Sequence, residues 1–218
     1  MISSLSALHA DMRLCRACPR VQPPVILGRP VSSPIYLLGQ APGPREGALG
    51  RPFGWTAGRT LFSWFRTLGV DEETFRSRVY IAAVLRCFPG KPAGNTQGRV
   101  GGSVAGDRVP DREEIATCAG WIRQELSLLR PRLVIAVGRL AIEQVAGERI
   151  GPLEGVVGGV RRGVFHGSPV DWVALPHPSG LSAWPKVEPG RTLLARALAV
   201  LGAHEAWTTT FGGEISAA

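Results

Sequence analysis

Lysine is almost missing from this chain of 218 residues, while arginine is common: Lys91 and Lys186 are the two lysines among 25 basic residues. Only 17 acidic residues oppose them, so the formal net charge is +8. A basic surface gains affinity for polyanions because binding releases the counterions of their phosphates. The charge therefore favours a nucleic-acid partner, although an arginine bias of this kind also reports the base composition of a genome.

Long apolar runs are missing as well. No stretch approaches the roughly 18 consecutive apolar residues of a membrane span, and residues 1–20 do not contain the unbroken apolar core of a signal peptide. We therefore expect a cytoplasmic protein without a membrane partner. With 44% hydrophobic and 19% charged residues, the composition suits one globular domain, placed at residues 1–205, and we expect a monomer.

Short apolar runs alternate with helical patterns, which predicts a parallel sheet covered by helices on both faces. The predicted strands are residues 35–39, 79–85, 132–137 and 170–175. Helical patterns cover residues 5–14, 60–68, 111–129, 139–145 and 191–201. Residues 88–117 are predicted to be a long loop insertion, because most of this segment is rich in Gly, Pro and Arg. Residues 206–218 carry no strong pattern and are predicted to be a tail that frays.

Cysteine is scarce: Cys15 and Cys18 form a C-x-x-C pair, and only Cys87 and Cys118 follow. Disulfides do not suit a cytoplasmic protein, so the choice lies between a metal site and unrelated buried thiols. A metal site is favoured because C-x-x-C brackets a tight turn and no cysteine is left over. Pure thiolate ligation suits both zinc and an iron-sulfur cluster, and the spacing does not decide between them. We expect the metal to be structural.

The sequence also lacks both G-x-G-x-x-G and G-x-x-x-x-G-K-[ST], so a dinucleotide or nucleoside triphosphate site is poorly supported. The first predicted strand leads instead into Gly-Gln-Ala-Pro-Gly-Pro-Arg-Glu at 39–46, where ligands of open α/β sheets collect. Gln40 and Glu46 are candidates for orienting a water molecule, unless Glu46 is a surface residue in a turn. Phe53 offers a ring on which a flipped base stacks, unless it packs in the core.

A histidine follows the last predicted strand, in Leu-Pro-His-Pro-Ser-Gly-Leu at 175–181. The carboxyl ends of parallel strands meet at one edge, so His177 is expected near Gln40 and Glu46. Prolines on both sides restrict its backbone, as a fixed electrostatic group requires. Leu181, at the tip of this loop, is a candidate apolar wedge for a DNA duplex.

Together these motifs resemble the iron-sulfur uracil-DNA glycosylases of bacteria and archaea, within the uracil-DNA glycosylase superfamily. The resemblance covers most of the chain and rests on the order and spacing of Cys15-x-x-Cys18, Gly-Gln-Ala-Pro-Gly at 39–43, Gly-Arg-Pro-Phe at 50–53, Cys87, Cys118 and His-Pro-Ser at 177–179. It implies a three-layer α/β/α fold with a central four-stranded parallel sheet. It also implies a [4Fe-4S] cluster on the four cysteines, with zinc as the alternative, and excision of uracil from DNA at the start of base excision repair.

The resemblance further implies a role for each matching residue. Phe53 stacks on the flipped uracil, Glu46 orients the attacking water, and His177 stabilises charge on the departing base. Gln40 lines the pocket near the sugar and base, and it completes the catalytic set. The implied substrate-binding residues are Gln40, Ala41, Phe53, Ala83, Ser179 and Leu181.

One position departs from this resemblance. Family members of the common type carry Asn four residues before the third cysteine, where it bonds the uracil edge, whereas this chain has Ala83. A methyl group makes no such bond, so discrimination among bases weakens and other deaminated bases become candidate substrates. The alternative function is a catalytically weak or inactive protein of the same fold that binds damaged DNA.

Overall fold

The structure is a computed structural model, and it describes residues 4–92, 106–180 and 182–212. Strands and helices alternate along this part of the chain. In chain order the elements are α1 (Leu5–Arg13), β1 (Ile35–Gly39), α2 (Glu46–Leu49), α3 (Thr56–Arg66), α4 (Glu72–Arg78), β2 (Tyr80–Ala83), α5 (Arg112–Leu129), β3 (Leu133–Val137), α6 (Arg139–Ala146), β4 (Val160–Phe165), β5 (Ser168–Leu175), α7 (Gly190–Gly202) and α8 (Glu205–Phe211).

The strands form one sheet in the order β2-β1-β3-β5-β4. Strands β2, β1, β3 and β5 are parallel, which confirms the four predicted strands. Every residue of β1 and β3 is buried, as expected for central strands covered on both faces. Helices pack against this mostly parallel sheet, in agreement with the predicted α/β architecture.

Strand β4 is an addition to the predicted sheet. It pairs antiparallel with β5 at the edge, and most of its residues are exposed, so it lacks the apolar run that marked the other strands. The turn between the two strands consists of His166 and Gly167, with φ of 47° and 85°. Two consecutive left-handed residues match the twist of a tight hairpin, and glycine adopts this conformation without strain.

The helices differ from prediction mainly at their starts. Helix α3 begins at Thr56 rather than at residue 60, and helices α2 and α4 were not predicted. The start of α4 has a sequence signal, because the Asp71 side chain caps it by accepting a hydrogen bond from the Thr74 N–H at 2.9 Å. The loop insertion ends earlier than predicted, since α5 starts at Arg112. No helix within the described residues is long and apolar enough to cross a membrane.

The predicted fraying tail is wrong for its first half. Residues Glu205–Phe211 form α8, and Trp207 and Phe211 are fully buried. The Trp207 ring lies 5.7 Å from Phe65 of α3 and 6.1 Å from Phe75 of α4, between ring centroids. Two aromatic residues four apart give this short helix an apolar face, which the intervening threonines obscured in the sequence. The packed chain therefore extends to Phe211, and residues 213–218 lie outside the described part.

The N-terminal segment wraps around the sheet, as predicted. Leu8 and Met12 of α1 form a small core of their own with Leu27. Further on, the Gln22 N–H donates to the Phe88 carbonyl at 2.8 Å, and residues 22–28 run beside β2 and the chain that follows it. This segment covers one edge of the sheet.

A buried ion pair joins the sheet to α5 and α1. The Arg86 guanidinium donates to the Glu125 carboxylate, and both side chains are almost completely excluded from water. Glu125 also accepts hydrogen bonds from the hydroxyls of Tyr36 and Tyr80. His9 Nε2 lies 2.8 Å from the Tyr80 oxygen, and because that hydroxyl donates to Glu125, the neutral His9 ring is the donor. Burial lowers the pKa of His9 to about 4, which keeps the ring neutral.

Replacing Trp207 by alanine tests the packing of α8. We expect the free energy of unfolding to fall by about 3–5 kcal/mol, the usual cost of removing a buried aromatic side chain. Urea unfolding followed by circular dichroism measures it. As a control, Val164→Ala on the exposed face of β4 changes the stability by less than about 0.5 kcal/mol. An equally small effect of Trp207→Ala would mean that α8 is not docked.

Candidate active site

The carboxyl ends of the parallel strands open onto a cavity of about 170 Å³. It lies where the sequence placed the site, beyond β1, β2 and β5, and the loops after these strands form its walls. Six of the predicted site residues line it together: Ala41, Glu46, Phe53, Ala83, His177 and Ser179.

Two predicted site residues are not among those that line the cavity. The described lining does not include Gln40, whose backbone carbonyl accepts a hydrogen bond from the Leu85 N–H at 3.1 Å. Gln40 therefore ties the end of β1 to the chain after β2. Leu181, the predicted wedge, lies outside the described residues.

Phe53 adopts an unusual backbone conformation at the cavity wall. Its φ is 53°, in the left-handed region that residues other than glycine rarely occupy. Buried Arg76 fixes the turn by donating to the carbonyl oxygens of Pro52 and Phe53 at 3.0 and 2.8 Å. The ring lies so close to the end of β1 that a Cβ at Gly39 would come within 2.7 Å of it. The strained turn therefore holds the ring at one defined place.

Glu46 begins α2 and is only 6% exposed, so its interpretation as a surface residue is wrong. Its carboxylate oxygens accept hydrogen bonds from the backbone N–H groups of Gly43 at 3.2 Å and Gly54 at 3.0 Å. Burial raises the pKa of Glu46 to about 7, although these hydrogen bonds and the charge of Arg76 oppose the shift. A carboxylate with such a pKa exchanges protons near neutral pH, as a group that activates water must.

His177 follows β5. It is far from Glu46 and Phe53 in the sequence but lines the same cavity. Its Nδ1 accepts a hydrogen bond from the Ser179 N–H at 3.2 Å. In the neutral ring the proton is therefore on Nε2, which is a donor. The surrounding protein displaces water and lowers the pKa of His177, while the Asp107 carboxylate opposes this shift. At neutral pH the ring is an uncharged hydrogen-bond donor.

The four cysteines line a second cavity, of about 80 Å³, together with Arg86 and Trp121. Burial and then the other three thiols raise the pKa of Cys87 to about 12, which reflects how near the four lie to one another. Within the described residues, no three His, Cys, Asp or Glu side chains converge closely enough to hold a single metal ion. This cavity brings together the N-terminal segment, the chain after β2 and α5.

A family-wide sequence profile, described as the uracil DNA glycosylase superfamily, matches residues 26–201. The chain belongs to the uracil-DNA glycosylase superfamily. The matched range runs from the segment before β1 into the last turn of α7. It therefore contains Glu46, Phe53 and His177, whereas Cys15 and Cys18 precede it.

Individual glycosylases of the superfamily align over most of the chain. A type-4 uracil-DNA glycosylase of Pyrobaculum aerophilum is 28% identical over 183 residues, covering 81% of this chain and 84% of that protein. A type-4 uracil-DNA glycosylase of Thermotoga maritima is 28% identical over 74% of this chain and 71% of its own length. A type-5 uracil-DNA glycosylase of Pyrobaculum aerophilum is 30% identical over 52% of this chain and 51% of its own length. The chain is therefore similar to glycosylases of both types.

The lining residues that were not predicted from the sequence include Asp107 and Trp55. Asp107 comes from the end of the loop insertion, where its Oδ1 pairs with the Lys91 Nζ at 2.6 Å. A Gly-, Pro- and Arg-rich segment gives no periodicity from which to place such a carboxylate. Trp55 stands just before α3 at the cavity mouth and is 45% exposed. Trp55 could have been predicted as a site residue, because it is an aromatic residue in an irregular segment two positions after Phe53.

Replacing Asp107 by asparagine tests the electrostatics of this cavity. Because the carboxylate raises the pKa of His177, its removal is expected to lower that pKa further. An NMR titration of the imidazole resonances measures the change. The matched control is Lys91→Gln, which keeps the carboxylate and does not lower the pKa of His177. An unchanged pKa in the Asp107→Asn variant would contradict the contact.

Proposed function

We propose that this protein hydrolyses the N-glycosidic bond of uracil in DNA and so starts base excision repair, acting as a cytoplasmic monomer. The observation that carries the proposal is the convergence of Glu46, Phe53 and His177 on one cavity in a chain of the uracil-DNA glycosylase superfamily. Relatives that align over most of the chain are named uracil-DNA glycosylases. The net charge of +8 suits the DNA substrate.

Glu46 supplies the group that orients the water. Two backbone N–H groups hold its carboxylate, and each oxygen retains a lone pair for a water molecule. The water oxygen attacks C1′ of the deoxyribose as the bond from C1′ to the base nitrogen breaks. Glu46 accepts the water proton, and its negative charge also favours the oxocarbenium-like sugar that develops.

Phe53 and His177 hold the base. The Phe53 ring provides a flat surface on which an extruded base stacks. As the bond breaks, its electron pair moves to the base, and the Nε2 proton of His177 forms a hydrogen bond to the base oxygen that gains charge. The departing uracil anion then takes up a proton from water and Glu46 releases its proton to water, so the products are free uracil and an abasic deoxyribose, and no redox step is needed.

The side chain of Ala83, at the end of β2, cannot form a hydrogen bond with the edge of the base. It lines the same cavity and is 5% exposed, so the site has a methyl group where an amide would bond the uracil edge. We therefore include other deaminated bases among the substrates. A panel of uracil, hypoxanthine, xanthine and thymine, in single strands and opposite each base, measures that range.

The pH dependence tests the role of Glu46. Excision needs the carboxylate form, whose pKa is about 7, so the single-turnover rate is expected to rise with pH through about 7 and then level off. Glu46→Gln removes the titrating carboxylate and with it the rise in rate near pH 7. It also lowers the rate by about 10²–10⁴-fold, the usual contribution of such a group. Alkaline cleavage of a uracil-containing oligonucleotide reports the abasic product.

The matched control is Glu113→Gln, which removes an exposed glutamate at the start of α5. It leaves both the rate and the pH profile unchanged. Binding of uracil-containing DNA by the wild type without an alkali-sensitive product would instead identify a damaged-DNA binding protein. Full activity of Glu46→Gln would remove the proposed role of this carboxylate.

We also propose that Cys15, Cys18, Cys87 and Cys118 hold a [4Fe-4S] cluster. Four thiols around one cavity are the donor set that such a cluster needs. A cluster separates its thiolates further than a single zinc ion does, which suits cysteines that do not converge on one point. When bound, the cluster acts as a structural cross-link and supplies no step of the hydrolysis. The chain's own part is to bring the N-terminal segment, the end of β2 and α5 together.

Metal analysis of anaerobically purified protein tests this assignment. We expect iron and acid-labile sulfide in equal amounts and a brown colour, whereas stoichiometric zinc without iron would refute it. Cys87→Ser is expected to lower the iron content and the melting temperature. Thr117→Ser, which lines the same cavity but keeps all four thiols, retains both.

A further inference from the structure

Two guanidinium groups and an indole form a stack at the mouth of the cavity. The guanidinium carbon of Arg45 lies 4.9 Å from the Trp55 ring centroid, and that of Arg59 lies 5.6 Å from it. Arg45 and Trp55 line the cavity, and Arg59 stands one turn into α3 on the exposed surface. We call these three residues the Arg-Trp-Arg stack.

The charges of this stack have no counter-ion among the described residues. Other arginines close to the same cavity do form ion pairs: within the described part of the chain, Arg51 and Arg76 both pair with Glu72. Arg45 and Arg59 take part in none of the ion pairs found in that part of the chain. Their contact with the indole orders the two side chains without consuming their hydrogen-bond donors.

The indole itself needs an explanation. Trp55 is 45% exposed at a place where the chain has left the core, so burial does not account for it. An indole face attracts cations more strongly than the other aromatic rings do. Its contacts with two arginines therefore serve to fix where their charges lie, and the entropy cost of ordering long side chains is met before a ligand arrives.

We propose that the Arg-Trp-Arg stack binds the backbone phosphates on either side of the extruded nucleotide. The inference rests on the proposed function, because it takes DNA as the ligand and the cavity as the place of the extruded base. Extruding a nucleotide into the cavity leaves its two flanking phosphates at the cavity mouth. Two guanidinium groups there can bind these phosphates by charge-assisted hydrogen bonds.

Chemically neutralised DNA tests the contact directly. The ligand is an oligonucleotide with a 2′-fluoro-deoxyuridine, which resists hydrolysis, and its two flanking phosphates are either natural or methylphosphonate. Affinities are measured for the wild type and for Arg45→Gln/Arg59→Gln. We expect binding to weaken when the flanking phosphates are neutralised and also when the two arginines are replaced. Combining the neutral DNA with the double variant is expected to weaken binding no further. Independent, additive losses would overturn the proposal.

Salt dependence provides a second readout. Each lost phosphate contact lowers the slope of log affinity against log salt by about 1, so the double variant loses about 2. The matched control, Arg149→Gln/Arg196→Gln, removes the same charge from two exposed positions elsewhere and leaves the slope nearly unchanged. Equal losses in both double variants would reduce the effect to net charge and overturn the proposal.

The indole is tested separately from the arginines. Trp55→Leu keeps the apolar bulk but removes the aromatic face, and it is expected to reproduce most of the loss seen in the arginine variant. Trp55→Phe keeps a ring and retains most of the affinity. A loss in Trp55→Leu with none in Arg45→Gln/Arg59→Gln would mean that a base stacks on the indole, and would overturn the phosphate assignment.

These measurements remain informative if the protein does not excise uracil. Binding to the fluorinated oligonucleotide needs no turnover, so coupling between the arginines and the phosphates is measurable in either case. If excision occurs, the variants raise the concentration of DNA needed for half-saturation and leave the single-turnover rate at saturation within about threefold. A loss confined to the saturated rate would place these residues in the chemistry and overturn the proposal.

Discussion

The buried pair of Arg86 and Glu125 is the interaction on which most of this molecule depends. Glu125 gathers the hydroxyls of Tyr36 and Tyr80, and through Tyr80 it reaches α1. Arg86 precedes Cys87 in sequence and lines the cysteine cavity, so one ion pair fixes both the sheet and the thiols. A charge this far from water survives only with its partner, because an unpaired buried ion costs several kcal/mol. The network therefore ties the position of the four cysteines to the register of α5 on the sheet.

Guanidinium groups make three different kinds of contact in this chain. These contacts help to explain why it uses arginine rather than lysine. Arg86 neutralises a buried carboxylate, Arg76 binds two carbonyl oxygens to hold the turn of Phe53, and Arg45 lies over an exposed indole. Each task uses the planar fork or the flat face of the group, and a lysine ammonium has neither. The arginine content is thus a structural resource as well as a source of net charge.

Much of the fold was readable because the parallel strands are continuous apolar runs that end at functional loops. The same logic brought His177 and Glu46 to one edge of the sheet. What the sequence did not reveal arises from contacts between distant segments. The pKa of Glu46 reflects its burial, which the hydrogen bond from the distant Gly54 N–H opposes, and the conformation of Phe53 depends on Arg76 of the next helix. Helix α8 was hidden because two aromatic residues among threonines gain meaning only against α3 and α4, and Asp107 belongs to a segment without periodicity.

The two edges of the sheet are closed in different ways. Residues 22–28 run beside the end of β2 and the chain that follows it. In contrast, β4 borders solvent and carries Arg161 and Arg162, the latter 92% exposed. An open strand is a template on which another chain can add, and charged side chains along it disfavour that addition. The glycine in β4 weakens the template further. The N-terminal segment does not cover the β4 edge. There the charged side chains of β4 disfavour the addition of strands from other copies, and so disfavour fibrous self-association.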